Sequence, residues 1–283
     1  MSNCVNRFLA LTITLTSLAN AVVAQRAIPE DNLAYPVLIK LGNGNFGSGF
    51  YLSTKDSTYL VTAKHVLFDP ATNRLLDSRV ALLSYSGDST DLNPNRATLD
   101  MNILQANANI KPHATEDVVV VRIFSLSSVG GRRMASPLPG VVVQSSSKTG
   151  IVGADSDTTV LAFDQVIPGN EVIVFGYPDS LALEQLRQLD PNRPLLRKGI
   201  VAGTIPERHS IILDCPVYFG NSGGPVLELD HVGFQTKLRI IGVVNQYVPF
   251  VQAGGSQTFA MQIMSNSGYS IATPMDFVLE LLK

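Results

Sequence analysis

Along most of the chain, apolar residues come in short runs of strand length, not at helical spacing. Such runs occupy residues 37–41, 49–52, 59–63, 80–83, 118–123, 141–144, 160–163 and 172–177. Others follow at 199–203, 211–215, 225–229, 238–244 and 269–272. They are rich in Val and Ile and are separated by Gly, Pro, Asn and Asp, the residues of turns. This pattern predicts an all-β sandwich or barrel and not a series of βαβ units. Two stretches depart from it. Residues 181–189 (LALEQLRQL) have helical spacing and stop before Pro191. Residues 274–282 open with Pro274, suited to a first helical turn, and carry Phe277, Val278, Leu281 and Leu282 on an amphipathic pattern. Residues 132–140 and 144–157 read as loops, and either would suit a boundary between two halves.

The first two dozen residues follow a different logic. Arg7 precedes an uncharged, threonine-studded apolar stretch, and small residues follow at 19–21 and 22–24. That order reads as a secretory signal, with cleavage expected after Ala24 or, alternatively, after Ala21, an uncleaved anchor being the other reading. The stretch is short and polar for a spanning helix. The expected division is therefore a signal at 1–24 and a mature chain at 25–283, exported to a periplasm or secreted, with no membrane attachment afterwards. Cys4 leaves with the signal, so Cys215 remains alone and no intrachain disulfide is expected. Cohesion must come from burial, and 283 residues with 45% hydrophobic content suffice for one large or two small cores. Cys215, beside Pro216 in an apolar context, reads as a small buried hydrophobe. The net charge of −2 lacks the basic excess of a nucleic-acid binder. No H-E-x-x-H occurs, and a lone cysteine with scattered histidines lacks ligand spacing, so no metal or cofactor is expected.

Candidate chemistry centres on the stretch D-C-P-V-Y-F-G-N-S-G-G-P-V at 214–226. It sets one hydroxyl, Ser222, among Gly220, Gly223, Gly224 and Pro225. Glycines permit close approach of a substrate main chain and let successive N–H groups converge, as an oxyanion hole requires. Taken alone, the stretch also fits a glycine-rich turn with an incidental serine. His65, one of four histidines, closes the apolar run 59–63 in Y-L-V-T-A-K-H-V. A strand end can present an imidazole to a cleft; an exposed loop histidine is the plainer alternative. Asp117 leads the most hydrophobic run of the chain, where a partly buried acid needs a donor such as imidazole Nδ1–H. A solvated strand-leading aspartate is the alternative there. Each signal is ambiguous singly, but the order His, Asp, Ser points to nucleophilic hydrolysis.

At this point the chain resembles the trypsin-like (chymotrypsin-fold) serine peptidases, particularly the bacterial HtrA-type branch. The matching pieces are Gly47-Ser48-Gly49-Phe50, Val61-Thr62-Ala63-Lys64-His65, Glu116-Asp117-Val118-Val119-Val120, Val174-Phe175-Gly176-Tyr177-Pro178 and Gly199-Ile200-Val201. Gly220-Asn221-Ser222-Gly223-Gly224-Pro225, Ile241-Gly242-Val243-Val244-Asn245 and Ser270-Ile271-Ala272-Thr273-Pro274 complete the set. The resemblance implies two six-stranded antiparallel β-barrels, about 30–140 and about 141–283, with the active site between them and a closing C-terminal helix. A PDZ domain often follows in that branch; with nine residues after Pro274, none is expected here. Ser222 would then attack the scissile carbonyl of a polypeptide, His65 would relay the proton, and Asp117 would orient His65. Amides of Gly220 and Ser222 would bind the oxyanion. Val243, Val244 and Asn245 would offer an edge to the substrate strand. Pro216, Val217, Tyr218 and Phe219 would line the primary pocket. That segment has no acid, and Asp214 lies back in the preceding strand, so a medium apolar residue fits better than Lys or Arg. Oligomeric state is not legible.

Two departures matter. Asn221 stands where zymogen-activated relatives carry an aspartate that pairs with a newly released N-terminus, so activity without activation cleavage is expected. Lys64 replaces a small residue before the histidine. Pointed into the cleft it would depress the imidazole pKa; otherwise it is solvated. Rival motifs fit less well. Residues 220–224 satisfy G-x-S-x-G, but the nucleophile elbow needs a strand-to-helix turn, and Pro225-Val226-Leu227 continues as a strand. S-x-x-K and K-T-G overlap at 145–150, whereas penicillin-interactive enzymes keep them on separate elements. The remaining alternative is a protease-like binding protein without turnover, against which the intact His65, Asp117 and Ser222 argue.

Overall fold

The computed structural model describes residues 28, 33–88, 91, 93–145, 150–178, 188, 190, 192–232, 235–255 and 260–283. The signal expected at 1–24 and all but one residue of the helix expected at 181–189 lie outside the described residues.

Strand pairing divides the chain into two antiparallel systems. The first contains β1 (Pro36–Leu41), β2 (Phe46–Ser53), β3 (Ser57–Thr62), β4 (Arg79–Ser84), β5 (Asn95–Asp100), β6 (Ile110–Pro112), β7 (Val119–Val129), β8 (Arg132–Pro137), β9 (Val141–Ser145) and β10 (Ala154–Asp155). Its main path runs β6-β7-β3-β2-β1-β4-β5-β9, with β8 added on β7 and the short β10 lying parallel to β2. The second contains β11 (Glu171–Gly176), β12 (Leu195–Ile205), β13 (Ser210–Asp214), β14 (Pro225–Val232), β15 (Gln235–Gly255) and β16 (Ala260–Pro274). These close into a barrel in the order β11-β12-β13-β16-β15-β14. Among the described residues three α-helical segments accompany them: α1 (Lys64–Leu67), α2 (Met101–Ala106) and α3 (Met275–Leu281). The last matches the amphipathic helix expected at 274–282. No helix among the described residues is long and apolar enough to cross a membrane.

Six strands form the second barrel as expected, but the first sheet carries ten and does not close through strand pairing among the described residues. The division also falls later than residue 140. Val141–Ser145 pairs with β5, and Ala154–Asp155 pairs with β2, so hydrogen bonding keeps both in the first half. Residues 132–140, read as loop, begin with β8, an exposed strand joined to β7 across Gly130-Gly131, a residue pair suited to a tight hairpin turn. Residues 160–163, read as strand, make one bridge to Ile240 and then enter a 3₁₀ turn at Phe163–Gln165.

The core explains why so many strands read as unbroken apolar runs. Successive side chains of a strand point to opposite faces. In β7, Val119, Val121 and Ile123 enter the core of the first sheet, while Val120 and the preceding Val118 face the seam between the two halves. In β11, Val172 and Val174 enter the second barrel, while Ile173 and Phe175 face the same seam. Phe50 and Val61 from the first half meet Phe175, Leu227 and Val243 from the second, and Met275 and Val278 of α3 close the cluster. Cys215 is buried inside the second barrel, where burial pushes its thiol up to about 11, so it behaves as a small hydrophobe.

Because the seam is one shared cluster, the halves should unfold together. We expect Phe175→Ala to cost ~3–5 kcal/mol while keeping a single transition in urea followed by circular dichroism. Two separated transitions in the wild type would contradict the shared core.

Candidate active site

Thr62 at the end of β3 pairs with Val119 at the start of β7. Antiparallel pairing therefore brings the residues just beyond each, His65 in α1 and Asp117 before β7, to the same end of the sheet. The carboxylate grips His65 twice. Asp117 Oδ2 lies 2.6 Å from His65 Nδ1, and Oδ1 accepts the His65 backbone N–H at 2.9 Å. Burial alone would raise the Asp117 carboxyl. The hydrogen bond and charge of His65, with a smaller contribution from Lys64, outweigh it and hold the group below its ordinary value. An ionised carboxylate only accepts, so Nδ1 is the donor in this pair. Of the two placements expected of it, Lys64 takes the one at the cleft, which it lines, and its Nζ donates to the His113 carbonyl at 3.0 Å.

Ser222 arrives from the other half, in the loop between β13 and β14. The Asn221 N–H donates to the Tyr218 carbonyl at 3.0 Å, and Gly220 in the third position has φ +84°. These are the marks of a type II turn, whose third residue needs a positive φ. Asn221 is buried, and its Oδ1 accepts the Tyr218 N–H at 3.2 Å, closing the turn from inside. Gly223, at φ +88°, lies so close to the first sheet that a Cβ there would sit 2.1 Å from both the Ser48 carbonyl oxygen and Thr62 Oγ1. The Ser222 carbonyl accepts the Ser48 N–H at 2.9 Å, and Gly223 N–H donates to Val244 at 2.7 Å. The amides of Gly220 and Ser222 have no acceptor among the described residues.

The pairing of β15 with β16 shifts register between Val244 and Gln246, leaving Asn245 as a bulge. A bulge re-aims the groups it displaces. Here the Asn245 carbonyl accepts Ser222 Oγ–H at 3.1 Å. His65, Asp117, Ser222 and Asn245 all line one cleft of about 780 Å³.

Of the residues expected to touch substrate, Val217, Tyr218, Phe219 and Asn245 line this cleft and Pro216, Val243 and Val244 do not. Val243 and Val244 are buried. Val243 is paired with Pro225 on one side and Thr273 on the other, and both backbone groups of Val244 are taken by Gly223 and Gly224. Pro216 is half-buried outside the cleft wall. The edge lining the cleft runs from Asn245, as expected, on to Gln246 and Tyr247, which no motif in the sequence marks. Tyr247 meets Phe219 edge-to-face at 5.8 Å between centroids. The run of Val243 and Val244 was itself the missed signal, since continuous apolar residues mark a strand buried on both faces.

Two curled antiparallel systems with a cleft at their seam define the chymotrypsin-like fold. Residues 47–232 match the family described as the trypsin-like peptidase domain, and the chain belongs to that family. Among solved structures, a serine endoprotease from Yersinia pestis is similar with a TM-score of 0.48 and 15% identity, over 88% of this chain and 62% of that one. The chain thus spans less than two thirds of the length of the Yersinia protein. Deg5 is similar with a TM-score of 0.46 and 18% identity, over 89% of this chain and 88% of that one. No curated protein matches the chain.

The depressed carboxyl of Asp117 has a signed consequence. Its contribution to stability is fully present above the unfolded carboxyl pKa, ~3.9, and is lost as pH falls through the lower folded value. Denaturant midpoints measured from neutral to strongly acid pH should fall less steeply on that limb for Asp117→Asn than for the wild type.

Proposed function

We propose that this chain is a serine endopeptidase that works through an acyl-enzyme on Ser222. The observation that carries the reading is the double grip of Asp117 on His65, opening on the cleft that Ser222 also lines. Asp117 keeps the Nδ1–H tautomer and stabilises the imidazolium that forms. As substrate enters, the Ser222 hydroxyl turns from the Asn245 carbonyl towards Nε2, gives up its proton and attacks the scissile carbonyl carbon. The amides of Gly220 and Ser222 receive the oxyanion. Collapse breaks the C–N bond as His65 returns the proton to the leaving amine. Water, deprotonated by the same ring, then releases the acyl group.

The substrate strand adds to the edge at residues 245–247. Its residue before the cut meets Val217, Tyr218 and Phe219. Arg197 lies 4.5 Å from the Tyr218 ring centroid, and its charge disfavours Lys or Arg there. A medium apolar residue is the preferred one. Asn221 is buried and uncharged, so no ion pair to a new N-terminus is needed and the enzyme works without activation cleavage. The sequence at 1–24 supports export, to a periplasm or out of the cell. The rival reading, a protease-like binding protein, draws on Ser222 Oγ being bonded to Asn245 and not to His65.

A fluorophosphonate probe separates the two. Wild type should label and Ser222→Ala should not; an unlabelled wild type ends the peptidase reading. On a denatured protein substrate, Ser222→Ala should lower kcat by about 10⁶-fold and Asp117→Asn by about 10⁴-fold. Protein beginning at Gln25 should cleave that substrate with no added peptidase, and a peptide library should be cut after apolar residues. Dependence on prior nicking would refute the first point, and cutting after Lys or Arg the second.

A further inference from the structure

We propose that Ser48 is a positioning residue that seats the oxyanion turn against the first sheet, an inference that rests on the peptidase reading above. Ser48 lies in β2 between Gly47 and Gly49 and is fully buried, an unusual place for a hydroxyl unless its bonds are specified. Its Oγ accepts the Tyr177 N–H at 2.9 Å. The hydroxyl proton is therefore free for a second partner, and the Gly220 carbonyl lies 2.6 Å away. The Ser48 backbone N–H takes the Ser222 carbonyl at 2.9 Å. One residue of the first sheet thus holds the carbonyls on both sides of Asn221.

The turn from Tyr218 to Asn221 has two related forms. Types I and II differ by reversal of the central peptide, here the one that ends in the Gly220 N–H. Only one orientation offers that N–H to the oxyanion. Glycine in the third position accepts φ of either sign, so it permits the required form without selecting it. Asn221 closes the turn from inside, but both turn types share the closing bond. The relay from Tyr177 N–H through the Ser48 hydroxyl to the Gly220 carbonyl holds the peptide that follows the reversible one, and so fixes where the Gly220 N–H sits relative to the first sheet. All its members are neutral, so its hold does not depend on a charged chain end. It joins β11, β2 and the serine loop, so the oxyanion site is complete only when the two halves are docked.

The test compares wild type, Ser48→Ala, Ser48→Cys and Thr62→Val for kcat, KM, melting temperature and affinity for a peptide boronic acid, a mimic of the tetrahedral state. Losing an oxyanion donor typically costs ~10²–10³ in kcat. Ser48→Ala, which loosens a donor without deleting it, should lose about 10- to 100-fold in kcat, with KM within about threefold and boronate affinity falling with kcat/KM. Ser48→Cys, with a weaker donor, should fall between. Thr62→Val removes the 2.6 Å bond to the Ser48 carbonyl and leaves the relay intact, so it should melt lower with kcat within about threefold. Undiminished kcat in a folded Ser48→Ala overturns the proposal, as does an equal loss in Thr62→Val. If Ser48→Ala does not fold, Ser48→Cys decides, and wild-type kcat there overturns it. A wild type that the fluorophosphonate fails to label overturns the peptidase reading and this inference with it. A labelled wild type beside an undiminished Ser48 variant overturns the inference alone.

Discussion

One backbone contact joins what each half supplies to the site: the Ser48 N–H meets the Ser222 carbonyl at 2.9 Å, and Gly223 presses on the same strand with no space for a side chain. His65 and Asp117 belong to the first sheet, and Ser222 to the second barrel. Their relative placement is therefore set by how closely two backbones approach. Any side chain at residue 223 would wedge the barrels apart, and the seam core could not compensate without moving. Gly223 thus serves packing between the two halves as much as turn geometry.

Behind that contact lies a hydrophobic seam built by strands with two buried faces. Phe50 and Leu52 of β2, Val120 of β7 and Ile173 and Phe175 of β11 alternate with neighbours that fill the barrels themselves. Helix α3 lays Met275 and Val278 on the same cluster. Three of the cleft residues sit on or beside such strands, whereas Ser222 lies in the loop between β13 and β14. His65 follows β3, Asp117 precedes β7, and Asn245 is a bulge in β15. Charge adds the finer adjustment: Asp117 is held ionised by the group it orients, so the same pair fixes tautomer and position.

Legibility in the sequence followed burial. Strands apolar on both faces, such as β7 and β11, were plain as runs of Val and Ile. β5 was missed because it alternates: Ala97 and Leu99 turn inward while Arg96 and Thr98 face out, and no run forms. β8 was read as loop because its described side chains are exposed and only its ladder to β7 defines it. Residues 160–163 have strand composition, yet they serve as a connection that crosses from one half to the other. Val243 and Val244 were assigned to substrate because one face of a strand cannot be told from its edge in a linear text. Their backbone groups are consumed by β14, β16 and the serine loop.

The sequence by itself determined the residue types and their order: an all-β chain, a histidine and an aspartate at strand ends, and a serine among glycines. Those follow from periodicity and from backbone licence, which are local. Only the tertiary structure decided which carbonyl the Ser222 hydroxyl faces, where the free edge of β15 begins, and that a buried serine in β2 reaches the Gly220 carbonyl 172 positions away. Such contacts depend on register and on the docking of two sheets, and neither is written in any one stretch of the chain.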